Sequence, residues 1–420
     1  MSTLSPRESP AGQTHADRVP FSWSHFSPSA GLAAVLALLV GYSGPFLIIV
    51  HAAQSAGLSA AQLGSWVWAV SIASGVAGIW LTLRWRVPVI TAWSTPGAAL
   101  LLAALPGVPY GEAVGAFLAA AVIVTVVGVS GAFDKLMKIF PASLAAAMLA
   151  GILFHFVADV AGAASQQAML VVPMAVLFFV GRKLFPRFAL LAAIALGLAL
   201  AGWQGLYGTA ASWQGSSGPL FTMPQWSWTA FVNLALPLAL LALTSQFLPG
   251  MAVLSASGYH IPARSPVTVL GLASIITAPL GGHGVTLAAI IAAICTGPEA
   301  HPDPQRRYMA GLVCGALYIV LGIAGGALAG LVLLLPKALV VTAAGLALFG
   351  TLASSLTAAL MDDGHREAAL LTFVVAASGV TIAGLGSPLW AVLAGGSVSW
   401  LLKVRPKSTP ALKPVMQSKN

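Results

Sequence analysis

From residue 31 to residue 402 the chain is a succession of apolar runs, each close to the length of a bilayer crossing and separated by short loops. A helix needs roughly 20 apolar residues to span the hydrocarbon layer. The runs read as spans at 31–54, 60–83, 88–105, 112–131, 142–161, 168–183 and 188–203, then 229–256, 265–280, 282–297, 308–334, 337–360, 367–385 and 387–402. Only 7% of residues are charged and 58% are hydrophobic, too little polar surface to cover a soluble globule. The expected class is an all-α membrane protein with 14 transmembrane segments.

The basic residues test the count. With the N-terminus inside, every Lys and Arg except Lys337 falls on the cytoplasmic side, from Arg84 and Arg86 through Arg182, Lys183 and Arg187 to the cluster after Lys403. One miscounted span would reverse every later loop, so the positive-inside rule supports this topology. The net charge of +9 then belongs to cytoplasmic loops and calls for no nucleic acid. Residues 1–28 lack a charged region followed by an apolar core and read as a cytoplasmic tail, as do 403–420. Between the two sets of spans lies a periplasmic loop, 204–228. Trp203, Trp213, Trp226 and Trp228 fit a membrane–water interface there.

Seven runs precede that loop and seven follow it, giving repeats at 29–203 and 229–402. The third run is not a plain helix. Pro88 to Trp93, with β-branched Val89, Ile90 and Thr91, reads as extended. Thr95-Pro96 then reads as a helix start, with Thr95 as N-cap. The tenth run has the same grammar: Pro279, Gly281-Gly282-His283-Gly284, then an Ala/Ile-rich helix. Seven is odd, so the second copy is inverted, and two half-helix N-termini face each other inside the membrane. Interrupted spans at matching places point to a transporter site, and a helix N-terminus favours an anion. The plainer reading is that Pro and Gly merely kink two helices.

Few polar groups lie at mid-membrane depth: Ser43, Ser94, Thr95, Gln246, His283, Thr286 and Ser354 among them. With Phe46, Trp93 and Phe247 they suit a small ligand with one anionic group and an apolar body. His283 is either a proton relay or a neutral ring bonded to a carbonyl. His155 and Asp159, four apart on one helix face, form either a proton-carrying or a structural pair. No carboxylate adjoins the proposed site, which disfavours a cation carrier. Cys295 and Cys314 form no metal pattern, and no catalytic, phosphate-cradling or cofactor motif occurs, so neither an enzyme nor an ATP-driven pump is expected, and no cofactor or metal.

Ile90 to Leu100, Thr244 to Gly250, Gly281 to Ala289, and Arg366 to Phe373 with Ala377 to Val380 together resemble the benzoate/proton symporter family (BenE) over about residues 30–402. The resemblance implies a bacterial inner-membrane carrier importing benzoate or a similar aromatic carboxylate with a proton by alternating access. It also implies a fold shared with nucleobase/proton symporters and anion exchangers. In that fold spans 1–4 and 8–11 form a core domain, spans 5–7 and 12–14 a gate, and homodimers are common. Phe247, Thr286 and Ser354 stand where the family pattern often has Asn. On this reading the carboxylate sits on N–H groups near Thr95, Gly97 and Ala98 and near Val285 and Thr286. Ser43, Gln246 and His283 add hydrogen bonds, and His283 carries the proton. An exchanger or carrier of another organic anion, or an anion channel, is the alternative.

Overall fold

The computed structural model describes residues 20–133, 135, 141–186, 188–207, 218–298, 300–325, 327, 334–380, 382 and 386–403. The ends of both tails, the middle of the 204–228 loop with Trp213, and the end of the 308–334 run lie outside these residues. The helices fall where the apolar runs place them. They are α1 (Pro28–Ser55), α2 (Ala60–Trp85), α3 (Thr95–Ala104), α4 (Tyr110–Ser130), α5 (Ala142–Gln166), α6 (Ala168–Leu184) and α7 (Ala189–Trp203). After the loop come α8 (Trp228–Ala256), α9 (Arg264–Thr277), α10 (Ala289–Thr296), α11 (Tyr308–Ile323), α12 (Lys337–Leu360), α13 (Arg366–Ala377) and α14 (Ser387–Lys403). Two short strands, β1 (Thr91–Trp93) and β2 (Val285–Leu287), precede α3 and α10. Among the described residues seven helices are long and apolar enough to cross a membrane, and α3, α7, α9 and α14 are shorter apolar helices.

Local chemistry sets several boundaries. Ser27 caps α1 through its hydroxyl, with Pro28 in the first turn, so the helix starts three residues before the apolar run. Just before it, the N-terminal segment is tied down: His25 Nδ1 lies 2.9 Å from the Tyr308 hydroxyl, and the Arg86 guanidinium covers the rings of Phe21 and Tyr308. Between α12 and α13 the His365 ring bonds Asp362 and holds its carboxyl below the usual range. At the far side, Trp203, Trp226 and Trp228 are exposed, as an interfacial belt requires.

α8 is continuous but contains two π-turns, Phe231–Ala235 and Leu243–Phe247. Each ends in a five-residue bond, Leu236 N–H to Phe231 O and Leu248 N–H to Leu243 O. Each such bond is followed directly by a proline, Pro237 or Pro249. A proline ring clashes with the carbonyl four residues earlier, and a wider turn relieves that clash. The second π-turn carries Thr244-Ser245-Gln246-Phe247 and packs on β2.

Packing is tightest between α2 and α11, α4 and α9, and α5 and α12, with α13 on α5 and α14, and α6 on α7. Glycine allows the closest approaches. A Cβ at Gly75 on α2 would come 2.5 Å from the Gly315 carbonyl oxygen of α11, and one at Gly128 on α4 would come 2.6 Å from the Thr268 nitrogen of α9. In hydrocarbon such backbone proximity, more than apolar burial, holds helices together. Gly75→Val is therefore expected to destabilise the protein by about 1–3 kcal/mol, read as a lower thermal midpoint in detergent. Gly350→Ala, where a Cβ meets nothing within 4 Å, leaves the midpoint unchanged or slightly raised.

Candidate functional site

The site grows from the extended halves of the third and tenth runs. β1 and β2 pair antiparallel, Thr91 with Leu287, Ala92 with Thr286, and Trp93 with Val285. Two further bonds extend the ladder: Ser94 N–H donates to Gly284 O (3.2 Å) and Ala288 N–H to Ile90 O (3.0 Å). All six strand residues are buried. Non-helical backbone at such depth needs internal partners, and the ladder supplies them for the groups that face the opposite strand. Gly284, at φ +136, lies in a region that favours glycine.

The cap of α3 corrects the sequence expectation by one residue. Ser94, not Thr95, is the N-cap, and its hydroxyl accepts from Gly97 N–H at 3.0 Å. Ala98 N–H donates to Ser94 O at 2.8 Å. The N–H groups of Gly97 and Ala98, expected to face an anion, are thus already occupied. Likewise Val285 N–H donates to the Ser274 hydroxyl at 2.9 Å, and Thr286 lies in the ladder opposite Ala92. The open helix terminus is further along, at the start of α10, where Ala288 gives no side-chain cap. At the other end of α10, Arg307 Nη1 donates to Thr296 O (2.8 Å) and its Nε to His301 O (2.7 Å).

His283, buried beside the crossing, ties it together. Its Nδ1 accepts from the Trp66 indole N–H at 2.8 Å, and its Nε2 lies 3.1 Å from Ser94 O. Indole nitrogen only donates, so Nδ1 is bare and Nε2 carries the proton that Ser94 O receives. The ring is neutral and both nitrogens are engaged. This is the carbonyl-bonded reading of His283. It leaves no ring nitrogen for a substrate in this packing.

Next to Trp93 is an aromatic cluster. Its centroid lies 4.7 Å from that of Tyr42, which stacks on Phe46 at 5.5 Å and meets Tyr318 of α11 at 6.0 Å. The Tyr42 hydroxyl is 3.3 Å from the Ser71 hydroxyl. Trp93 Nε1 and the Tyr318 hydroxyl are buried without a hydrogen-bond partner among the described residues. Sequence reasoning passed over Trp66 and Tyr318. The available signal was a polar-tipped ring in the middle of an apolar run, where its tip must find a partner.

The remaining expected residues divide. Phe247 is fully buried in the second π-turn and Gln246 half-buried beside it. Gly250, one turn on, packs so closely that its Cβ would come 2.5 Å from that of Leu287. Ser43 lies on α1, but its side chain lies outside the described residues. Ser354 is exposed and bonds Thr351 O within its own helix (3.0 Å), so it does not join the buried cluster. His155 is exposed and reaches Ala377 O of α13 at 2.5 Å. No ion pair joins it to Asp159 among the described residues. Removing the indole donor with Trp66→Phe strands a buried acceptor on His283 and is expected to cost about 1–3 kcal/mol, seen as a lower thermal midpoint. Trp203→Phe, at an exposed ring, changes stability by no more than about 0.5 kcal/mol.

The family described as benzoate membrane transport protein matches residues 24–401. The chain is 40% identical over 384 residues to the benzoate membrane transport protein of Acinetobacter baylyi, covering 91% of this chain and 97% of that one. It is also 40% identical over 369 residues to the inner membrane protein YdcO of Escherichia coli K12, covering 88% and 94%. Among solved structures, the transmembrane domain of the cyanobacterial bicarbonate transporter BicA superposes with a TM-score of 0.53 at 12% identity, over 90% of this chain and 97% of that one. The murine anion transporter Slc26a9 in its inward-facing state gives 0.59 at 12% identity, over 91% and 69%. At that identity the likeness is one of fold. The apolar helices describe a multi-pass membrane protein, and the family and its relatives a membrane transporter and not an enzyme. The chain belongs to the benzoate membrane transport protein family.

Proposed function

We propose that this protein imports benzoate or a similar aromatic carboxylate across the bacterial inner membrane together with protons, by alternating access. The observation that carries the reading is the β1–β2 crossing. It places an uncapped helix N-terminus and buried, unpartnered donors beside a cluster of aromatic rings, with no carboxylate among them. A fixed carboxylate there would repel an anionic substrate, and neutral donors attract it. The relatives named for benzoate transport support the substrate class.

The fourteen helical segments read as two inverted repeats of seven, 29–203 and 229–402, both termini cytoplasmic. Support comes from the packing. Counting seven helices on turns the α2–α11 contact into α9–α4, α6–α7 into α13–α14, and α1–α3 into α8–α10, all of which occur. The strongest contacts also fall into two groups, α1–α4 with α8–α11 and α5–α7 with α12–α14. These are the core and gate of an alternating-access cycle, with the crossing in the core. A second copy of the chain and surrounding lipid are the expected neighbours.

Proton coupling is assigned first to His283. Because both its nitrogens are bonded, protonation at Nδ1 has to displace the Trp66 indole, which would link proton uptake to a rearrangement at the crossing. His155 and Asp159, on α5 in the gate, are the alternative pair. The test is labelled benzoate uptake into proteoliposomes with and without an inward proton gradient. The reading expects accumulation above equilibrium that a protonophore abolishes. Equilibration indifferent to the gradient would make the protein a channel or exchanger, and no uptake of benzoate by folded protein would remove the substrate assignment. His283→Gln is expected to abolish gradient-driven accumulation while the protein stays folded. Undiminished accumulation would leave His283 a positioning residue only.

A further inference from the structure

Trp93 and Tyr318 are 2% and 1% exposed, yet the indole N–H of one and the phenol O–H of the other have no hydrogen-bond partner among the described residues. Buried donors are almost always paired, and an orphan is costly to keep. Here two flank the same ring, Tyr42, from β1 and from α11. Tyr42 does not satisfy either of them, since its own hydroxyl is turned to Ser71. The position of the Tyr318 hydroxyl is defined by its neighbours. A Cβ at Gly41 on α1 would lie 3.1 Å from it and 2.8 Å from Ile291 Cδ1. Ile291 is the third residue of α10, so the hydroxyl and a side chain from the uncapped first turn of that half-helix approach the same point on α1. Gly41 has no side chain to hold them off, so the hydroxyl and Ile291 both close on α1 there.

We propose that Trp93 Nε1–H and the Tyr318 hydroxyl are the two side-chain donors for the substrate carboxylate, one to each oxygen, at the N-terminus of α10. This rests on the reading of the protein as an aromatic carboxylate carrier and names the groups that recognise the carboxylate. Indole nitrogen only donates, and an ionised carboxylate only accepts, so the set is matched without a buried cation. The rings of Tyr42 and Phe46 border the position of the apolar body. The proposal also shifts the anion seat from α3, whose Gly97 and Ala98 N–H groups are used by Ser94, to α10.

The pairing makes a specificity statement. A carboxamide has the shape of a carboxylate but offers one acceptor and an NH2 group. It would leave one donor unpaired and bring another donor against it. Sites built to hydrogen-bond a polar group reject analogues that strand the partner.

The experiment is isothermal titration of detergent-purified full-length protein with benzoate and with benzamide, using the parent, Tyr318→Phe and Trp93→Phe, with thermal midpoints of the ligand-free proteins. The parent is expected to bind benzoate and not benzamide. Each variant should lose roughly 10- to 100-fold in benzoate affinity, the loss of one hydrogen bond to a charged group. The gap between benzoate and benzamide should narrow in both. Ligand-free Tyr318→Phe should be as stable as the parent or more so, because it removes an unsatisfied buried hydroxyl. Parental benzoate affinity in both variants would overturn the proposal. So would a ligand-free Tyr318→Phe protein less stable than the parent, since the hydroxyl would then already have a partner. A parent that binds no aromatic carboxylate would overturn the functional reading itself, and this assignment with it.

Discussion

Backbone groups inside a membrane must find partners within the protein, and the rest of this site follows from how one short ladder meets that demand. Interrupting two helices in hydrocarbon exposes N–H and C=O groups that no water can reach. Pairing β1 with β2 satisfies those that face the ladder from two distant parts of the sequence at once, and the Ser274 hydroxyl takes the Val285 N–H that points away. The cost of that solution is positional freedom. The two half-helices have to start where the ladder stops, with Ser94 and Ala288 each donating to a residue of the opposite segment. His283 adds a side-chain brace, joining Trp66 of α2 to the Ser94 carbonyl. Three elements are thereby held around one buried point before any ligand arrives, the preorganisation that a binding site requires.

The two halves are alike in plan and unlike in chemistry at the cap. Ser94 folds its hydroxyl onto Gly97 N–H. Gly97 leaves room for it, because a Cβ there would come 2.9 Å from the Ser94 oxygen. At the corresponding start of α10 stands Ala288, which has no oxygen to offer. One terminus is closed by the protein's own side chain and the other is left for something else.

Hydropathy carried the helix order, because a bilayer permits few alternatives to apolar runs of spanning length. The broken third and tenth runs were legible from Pro88, Thr95-Pro96 and the Gly281–Gly284 stretch. The exact cap was not. Ser94 and Thr95 are both good N-caps, and which one serves is decided by the strand register, a contact with residues nearly two hundred positions away. The same long-range contact hid the fate of the Val285 N–H, which goes to Ser274 on α9. Tyr318 and Trp66 sit in runs whose composition says only that they are buried. Their significance lies in what does or does not face the polar tip, which no local pattern encodes. Ser354 shows the converse: a hydroxyl in a helical run most often bonds its own backbone, and this one does.

The charge arrangement along α10 completes the argument for an anion seat without a buried cation. A helix carries roughly half a positive charge at its N-terminus and half a negative charge at its C-terminus. In a helix of eight residues, on the order of 12 Å long, the two ends partly cancel at a nearby ligand. Arg307 removes that cancellation. Arg307 is buried, and its guanidinium bonds the carbonyls of Thr296 and His301 at the C-terminal end. The negative end is neutralised, and the positive end is left uncompensated beside the ladder. Placing an arginine directly at the seat would incur the desolvation of a full charge in hydrocarbon whenever the site is empty. At the far end of a short helix the same charge acts on the proposed seat through the helix, and the guanidinium has carbonyl partners of its own.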